Sequence, residues 1–477
     1  MPRIEHVVVL MLENRSFDNV LGQLYPKSDA FDGIDLTETN PWHRPDGTVE
    51  KVRTWTNDGP KAPLLPDLDP GELFDDMNMQ IFGLGGDVRG RPTMTGFVDN
   101  YMRQPPEQYG SLSQGPPPPP TALHPQAVMH QFSPAHVPVI SQLATAFGVS
   151  DRWHASAPCE TWPNRYFTHA GTAGGYVNNE RSHFPYRWPR FLPTIFRRLD
   201  RRGYSWRIYF HDLPQAATLV DLWPKIPTRF CLYEAEFQRH SHSGRLANYS
   251  FIEPRYYPSQ WARALPNDQH PPHDPRGGDR LIASVYNAVR ASPTWDKTLL
   301  VVVYDEHGGC FDHVPPPAAV SPGGPYPDGF VFDRYGVRVP AVIVSPFVRP
   351  GSVIRPPAPS AGEPAYPFDH CSIQATLHKL FDLGPPLTPR VAAAPDLMSA
   401  LTLAAPENEG PESIAAEEPT ATREEIRAYR RRPHNHHQAN LRSPMQFLPG
   451  AAAHIVGQVR KLGAKATPGR SRPPSKR

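Results

Sequence analysis

Three short apolar runs rich in β-branched residues constrain the fold of this 477-residue chain more than any other feature: HVVVLML at 6–12, TLLVVVY at 298–304 and PAVIVS at 340–345. A strand with one wet face alternates polar and apolar residues; a run without alternation suits a strand covered on both faces. The three runs are therefore expected to pair in one central sheet. Between them the period changes to that of helices. PTIFRRLDRRG at 193–203 closes on Gly203 and leads into SWRIYF, and DRLIASVYNAVRA at 279–291 puts Leu281, Ile282, Val285, Tyr286 and Val289 on one face. CSIQATLHKLFDLG at 371–384 carries Ile373, Leu377, Leu380 and Phe381 and also ends on a glycine. Helices alternating with doubly covered strands define an α/β fold.

Two of the strand runs end in ligand-type side chains, Glu13 and Asn14 after the first and Asp305 and Glu306 after the second. Ligands in α/β sheets bind beyond the carboxyl ends of strands, so parallel neighbours would bring three carboxylates and an amide into one crevice. Carboxylates converge only where a cation or a proton relieves their repulsion, and oxygen donors of this kind suit Mg, Ca, Mn or Zn. On spacing alone the other reading, polar strand ends that face water, stays open.

PCETWPNRYFTHAG at 158–171 adds a hydroxyl at a helix start, because Thr161 precedes Trp162 and Pro163 and proline opens helices. Thr161 is then either an N-cap or a nucleophile held at the positive helix end, with Asn164 and Arg165 supporting phosphate oxygens. Histidines in NDQHPPHD (267–274), DEHGGCFDHV (305–314) and PFDH (367–370) sit beside acids and rigid residues. They read as proton donors, metal ligands or structural hydrogen-bonding groups.

IEHVVVLMLENRSFDNVLG, FSPAHVPVISQLATAF leading into TWPNR, SFIEPRY, NDQHPPHD, VVYDEHGGCFDHVPPP and YGVRVPAVIVSPF together resemble the phosphoesterase family of bacterial phosphatidylcholine-type phospholipases C and acid phosphatases, over about residues 4 to 384. The resemblance implies an alkaline-phosphatase-like α/β/α sandwich around a central mixed, mostly parallel sheet. It implies one divalent metal ion held by Glu13, Asn14, Asp305 and Glu306 together with Thr161, whose hydroxyl attacks phosphorus and forms a phospho-threonine intermediate. Asn14, Asn164 and Arg165 would contact substrate, and His270, His273, Asp369 and His370 would assist catalysis. Three departures stand out: Cys159 and Glu160 replace a glycine and a proline before the nucleophile, Glu72 stands where a histidine is common, and Cys310 where an aromatic is usual. The expected activity is phospholipase C-type phosphodiester hydrolysis, with monoester hydrolysis of the acid-phosphatase type as the alternative. A binding protein on a hydrolase scaffold is the third reading.

The catalytic domain is expected to span residues 1–400, with a proline-rich excursion over about 40–125 that includes GPPPPP at 115–120. Proline, 61 of 477 residues, is more than twice the usual share of about 5%, which favours long irregular connections. From 401 the chain is read as a mobile tail, dispensable for chemistry: acidic between Glu407 and Glu425, then RPHNHH, then purely basic from Arg460 to Arg477. That basic end leaves room for peripheral contact with an anionic membrane. A net charge of +2 gives no case for nucleic acid, and no obligate protein partner is evident; the expected partner is a phosphate ester such as a phospholipid. Four dispersed cysteines read as free thiols, and no leader or membrane-length apolar run is present. The chain as written is expected in the cytoplasm, secretion of a longer precursor remaining open.

Overall fold

A computed structural model describes residues 3–57, 65–66, 68–104, 123–179, 192–260, 262–362, 364–415, 421–431 and 435–441. Its strands in chain order are β1 (His6–Leu12), β2 (Thr39–His43), β3 (Val49–Arg53), β4 (Gly148–Val149), β5 (Trp206–Phe210), β6 (Phe230–Leu232), β7 (Tyr249–Ile252), β8 (Thr298–Tyr304), β9 (Ala341–Val344) and β10 (Ser352–Val353). Eight of them form one sheet in the order β10-β4-β9-β8-β1-β7-β5-β6, while β2 and β3 pair separately as a hairpin. Only β9 runs against the others, so the sheet is mixed and mostly parallel, as expected. The three apolar runs are neighbours in it. From Val7 to Leu12, and along the whole of β8, every side chain is buried, which is what their unbroken apolar sequence demands.

Helices cover the sheet in two packed groups. Pro138–Ala146 and Pro275–Arg290 pack together against β1, β8 and β9; Thr161–Ala170 packs with Ile195–Arg201 and His370–Phe381. The Pro275–Arg290 helix begins four residues before its expected start because Asp274 caps it and Pro275 opens it. Its buried Asp279 accepts the amides of Val139 and Ile140 at 2.8 and 2.9 Å, tying one helix start to its neighbour.

Two expectations need correction. The excursion at 40–125 contains its own small core, built from the hairpin and the helices Phe74–Phe82 and Phe97–Tyr101, where Ile81, Phe97, Val98 and Met129 pack on Phe311 and Val337. GPPPPP lies outside the described residues. The boundary placed at 400 does not hold either: Leu401, Ile414 and Leu441 belong to the main core, and Ile414 exchanges two hydrogen bonds with the Asn287 side chain at 2.8 and 2.9 Å. A few well-placed apolar residues in a polar stretch suffice to dock it, and composition averaged over the stretch hides them. The basic block from Arg460 lies outside the described residues. Among the described residues no helix is long and apolar enough to cross a membrane, and the four cysteines are free and buried.

Behind the carboxyl ends of β1 and β8 a buried ion cluster locks the following loops together. Arg338 donates to Asp18 at 2.8 Å and Asp312 at 3.0 Å, and His313 lies between Asp18 at 2.6 Å and Asp32 at 3.1 Å. Burial alone would lower the His313 pKa, but these two carboxylates push it up to about 10. Replacing Arg338 strands Asp18 and Asp312 without a counter-charge, so Arg338→Met should lose about 3–5 kcal/mol of unfolding free energy in urea. A loss below about 1 kcal/mol would show that the cluster does not hold the loops.

Candidate active site

Leu12 pairs with Tyr304 at the end of the parallel β1–β8 ladder, so Glu13 and Asn14 emerge level with Asp305 and Glu306. The chain then turns sharply. Asn14 adopts a left-handed φ of 55°, a conformation asparagine tolerates better than most residues. That turn sends its amide N–H to Asp305 Oδ1 at 3.0 Å and its side-chain amide to Glu306 Oε1. Gly308 allows the close approach, because a Cβ there would lie 2.2 Å from the Asn14 carbonyl oxygen.

Thr161 is not an N-cap. Glu160 takes that position, and the Trp162 amide is satisfied by Asn179 Oδ1 at 2.8 Å. Glu160 in turn accepts the Asn179 amide at 2.6 Å, so its carboxylate braces the helix start. Freed of capping, the Thr161 hydroxyl lies 3.5 Å from Glu13 Oε2. Arg165, one helical turn on, bridges Glu13 Oε1 at 2.5 Å and Asp305 Oδ2 at 3.2 Å. The structure thus gathers Glu13, Asn14, Thr161, Arg165, Asp305 and Glu306 in one place, each with at most 1% exposure.

The charges are strongly perturbed. Burial raises the pKa of Glu13 well above the ordinary value against the pull of Arg165, and burial with the charges of Glu72 and Asp305 does the same to Glu306. Asp305 is raised for the same first reason. One arginine does not offset three such carboxylates. Asn14 Oδ1 is buried with no hydrogen-bond partner. A hard or borderline cation fits this set of donors, since it would neutralise the carboxylates and take the orphaned amide oxygen.

Other expected residues are placed differently. Asn164 is committed to the loop before the helix: its side chain accepts the Ala157 amide at 3.1 Å and donates to the carbonyls of Ala157, Cys159 and Glu160, the shortest at 2.6 Å. His370 donates from Nε2 to the Asp305 carbonyl at 2.6 Å and accepts from Trp153 at 3.4 Å. Burial lowers its pKa to about 4, so it is a neutral support beneath Asp305. Asp369 takes the Ser156 hydroxyl at 2.9 Å and lies 3.5 Å from Arg390. His273 is held by Asp268 at 2.5 Å, and the Asp268 carbonyl accepts the Glu13 amide at 2.9 Å.

The site also contains residues that the sequence reading did not assign. Gln215 donates to Glu13 Oε1 at 2.7 Å, with no local signal to mark it. Asp69 and Glu72 converge on His270; Glu72 was visible only as a departure from a family pattern. His437, from the expected tail, stacks on His270 with ring centroids 5.9 Å apart and planes at 26°. Its neighbour Gln438 donates to the Tyr256 carbonyl at 2.5 Å, and Tyr257 donates to the Gln438 carbonyl at 2.6 Å.

Residues 4–384 match the Phosphoesterase family. The chain is 36% identical over 420 residues to non-specific phospholipase C3 of Arabidopsis thaliana, covering 86% of this chain and 76% of that one. With non-specific phospholipase C1 of the same plant it shares 37% identity over 386 residues, 80% and 67% of the two chains. It is 28% identical to the non-hemolytic phospholipase C of Pseudomonas aeruginosa over 455 residues, 85% of this chain and 58% of the other. Among solved structures, a protein in the alkaline phosphatase superfamily from Vibrio parahaemolyticus aligns with 55% of this chain and 63% of its own at 15% identity, with a TM-score of 0.31. The chain belongs to the Phosphoesterase family and is a hydrolase of phosphoric ester bonds.

The position of His437 changes what truncation should do. A chain ending after residue 420 keeps the docked 401–415 segment but loses the ring over His270. It should stay folded by circular dichroism yet lose about tenfold or more in kcat on a soluble ester, because small displacements of active-site groups have costs of that order. Unchanged kcat would reduce the segment to a cover.

Proposed function

We propose that this chain cleaves phosphodiesters in the manner of a phospholipase C, using Thr161 as the nucleophile. The single observation that carries the reading is the Thr161 hydroxyl, released from capping and set 3.5 Å from Glu13 in a buried anionic cluster. The names of the relatives support a phospholipid as the natural ester.

Thr161 stands at the start of its helix, where the backbone dipole favours a phosphate group. Arg165 Nη1 is buried without a hydrogen-bond partner and can donate to a phosphate oxygen. Glu13 Oε2, 3.5 Å from the Thr161 hydroxyl, accepts its proton. The Thr161 oxygen bonds to phosphorus as the ester bond to the leaving alcohol breaks, and His273, oriented by Asp268, returns a proton to that alcohol. Water then attacks phosphorus and gives a proton back to His273, Glu13 returns its proton to the departing Thr161 oxygen, and the phosphorylated head group is freed. A divalent cation held by Glu13, Asn14, Asp305 and Glu306 would supply neutralisation of developing negative charge. Monoesters fit the same groups, so substrate preference rests on what surrounds the second ester substituent.

Turnover of a chromogenic phosphocholine ester and a chromogenic phosphate monoester by metal-replete protein tests the reading. The diester should be the better substrate. Thr161→Val should reduce turnover by about 1,000-fold or more while stability changes by no more than about 1 kcal/mol. Wild-type rates in the folded variant would move the nucleophile elsewhere, and no turnover of either ester would favour a binding role.

A further inference from the structure

The helix Arg423–Arg430, which precedes the segment stacked on His270, sorts its charges by side. We propose that its arginine flank is a docking surface for an anionic lipid membrane; that the partner is lipid rests on the phospholipase reading above. From Thr422 to Arg431 the chain carries Arg423, Arg427, Arg430 and Arg431 against Glu424 and Glu425, a surplus of two that equals the net charge of all 477 residues.

The seating of the helix fixes which side is free. Ile426 is 1% exposed, and the Tyr429 ring lies 5.6 Å from that of His273, so the Ile426–Tyr429 side faces the protein. The Ala421 amide, just before the helix, donates to the Arg263 carbonyl at 2.7 Å. With about 100° between successive residues, Arg430, Arg423, Arg427 and Arg431 follow Ile426 around the helix within a sector of about 100°, on the side away from Tyr429. All four are exposed. Glu425 lies behind, where its carboxylate reaches back to the Thr422 amide at 2.7 Å and completes the cap. Glu424 borders the arginine sector only at the first turn, and from Ile426 to Arg431 no acid is present.

This pattern opposes the helix that carries it. Arg423 and Arg427 are four residues apart, as are Arg427 and Arg431, while Arg427 and Arg430 are three apart, and like charges at these spacings repel across a helix surface. Other exposed arginines rest on carboxylates, Arg239 on Glu236 at 3.1 Å and Arg276 on Asp274 at 2.5 Å. Among the described residues none of the four has such a partner. An anionic surface would relieve the repulsion along the whole flank at once. The apolar side of the helix is already used against the protein, so the contact is one of charge rather than insertion, and salt weakens it. Tyr429, the only aromatic of the stretch, is turned to His273, which leaves no stacking platform of the kind single-stranded nucleic acid uses. Through Tyr429 on His273 and His437 on His270, a membrane held here lies beside the segment that closes over the histidine side of the active site.

Co-sedimentation of the full chain with vesicles of phosphatidylcholine, with and without phosphatidylglycerol, at low and high salt tests the surface. Wild type should bind the phosphatidylglycerol vesicles at low salt and release them at high salt. Arg427→Gln combined with Arg430→Gln keeps good helix formers and should weaken that binding about 20-fold, since each basic group near an anionic surface contributes about fivefold. Arg427→Lys with Arg430→Lys should restore it, and Glu424→Gln should strengthen it about fivefold. All these variants should turn over a soluble chromogenic phosphocholine ester at the wild-type rate, with circular dichroism as the check on folding. Equal vesicle binding by wild type and the double glutamine variant, or tighter binding to single-stranded DNA than to the vesicles, would overturn the docking surface. Arginine-dependent vesicle binding without turnover of any ester would keep the surface and remove the phospholipase reading instead.

Discussion

The in-register parallel ladder of β1 and β8 brings two acidic strand ends to the same level, and the repulsion this creates shapes the surroundings. Glu13, Asp305 and Glu306 are buried side by side, where burial and mutual charge raise their pKa values. The neighbouring chain is arranged to hold them there. Arg165 lies across Glu13 and Asp305, Gln215 donates to Glu13, and Asn14 turns through a left-handed conformation to pair with Asp305 and Glu306. Isolated from a counter-ion, such a cluster would be costly to bury. Its persistence makes physical sense as a site that binds cations.

Support for this cluster comes from parts of the chain far apart in sequence. His370 holds the Asp305 carbonyl from below, Asp268 holds the Glu13 amide, and the Arg338 cluster fixes the loops that follow both strands. Asn164 closes the turn that leads to Thr161, which lets the nucleophile candidate begin its helix without capping it. The residues at 435–441 close over the histidine side, from a stretch that otherwise reads as solvated.

What the sequence made legible follows from the kind of signal each feature leaves. β1, β8 and β9 were legible because doubly buried strands require uninterrupted apolar runs, and Glu13, Asn14, Asp305 and Glu306 because they end those runs. The strands at the sheet margins are shorter, down to the two residues of β4 and of β10, and leave no such pattern. Thr161 was placed at a helix start correctly, but whether its hydroxyl caps depended on Asn179, 18 positions away, which no local rule could supply. Gln215 and His437 reach the site only through tertiary packing. The excursion and the tail were misjudged for one reason: average composition hides a few anchoring residues such as Ile81, Ile414 and Leu441.

The central claim is that Thr161 becomes covalently bonded to phosphorus, and the most direct measurement is mass spectrometry of protein quenched in acid during turnover of a phosphodiester. Cleavage at basic residues releases a peptide from Trp153 to Arg165 that contains Thr161 as its only threonine. The account expects the mass of the phosphorylated head group on that peptide, located at Thr161 by fragmentation, and its disappearance once substrate is exhausted. An adduct on any other residue, or none under conditions where the first turnover is faster than those that follow, would contradict it.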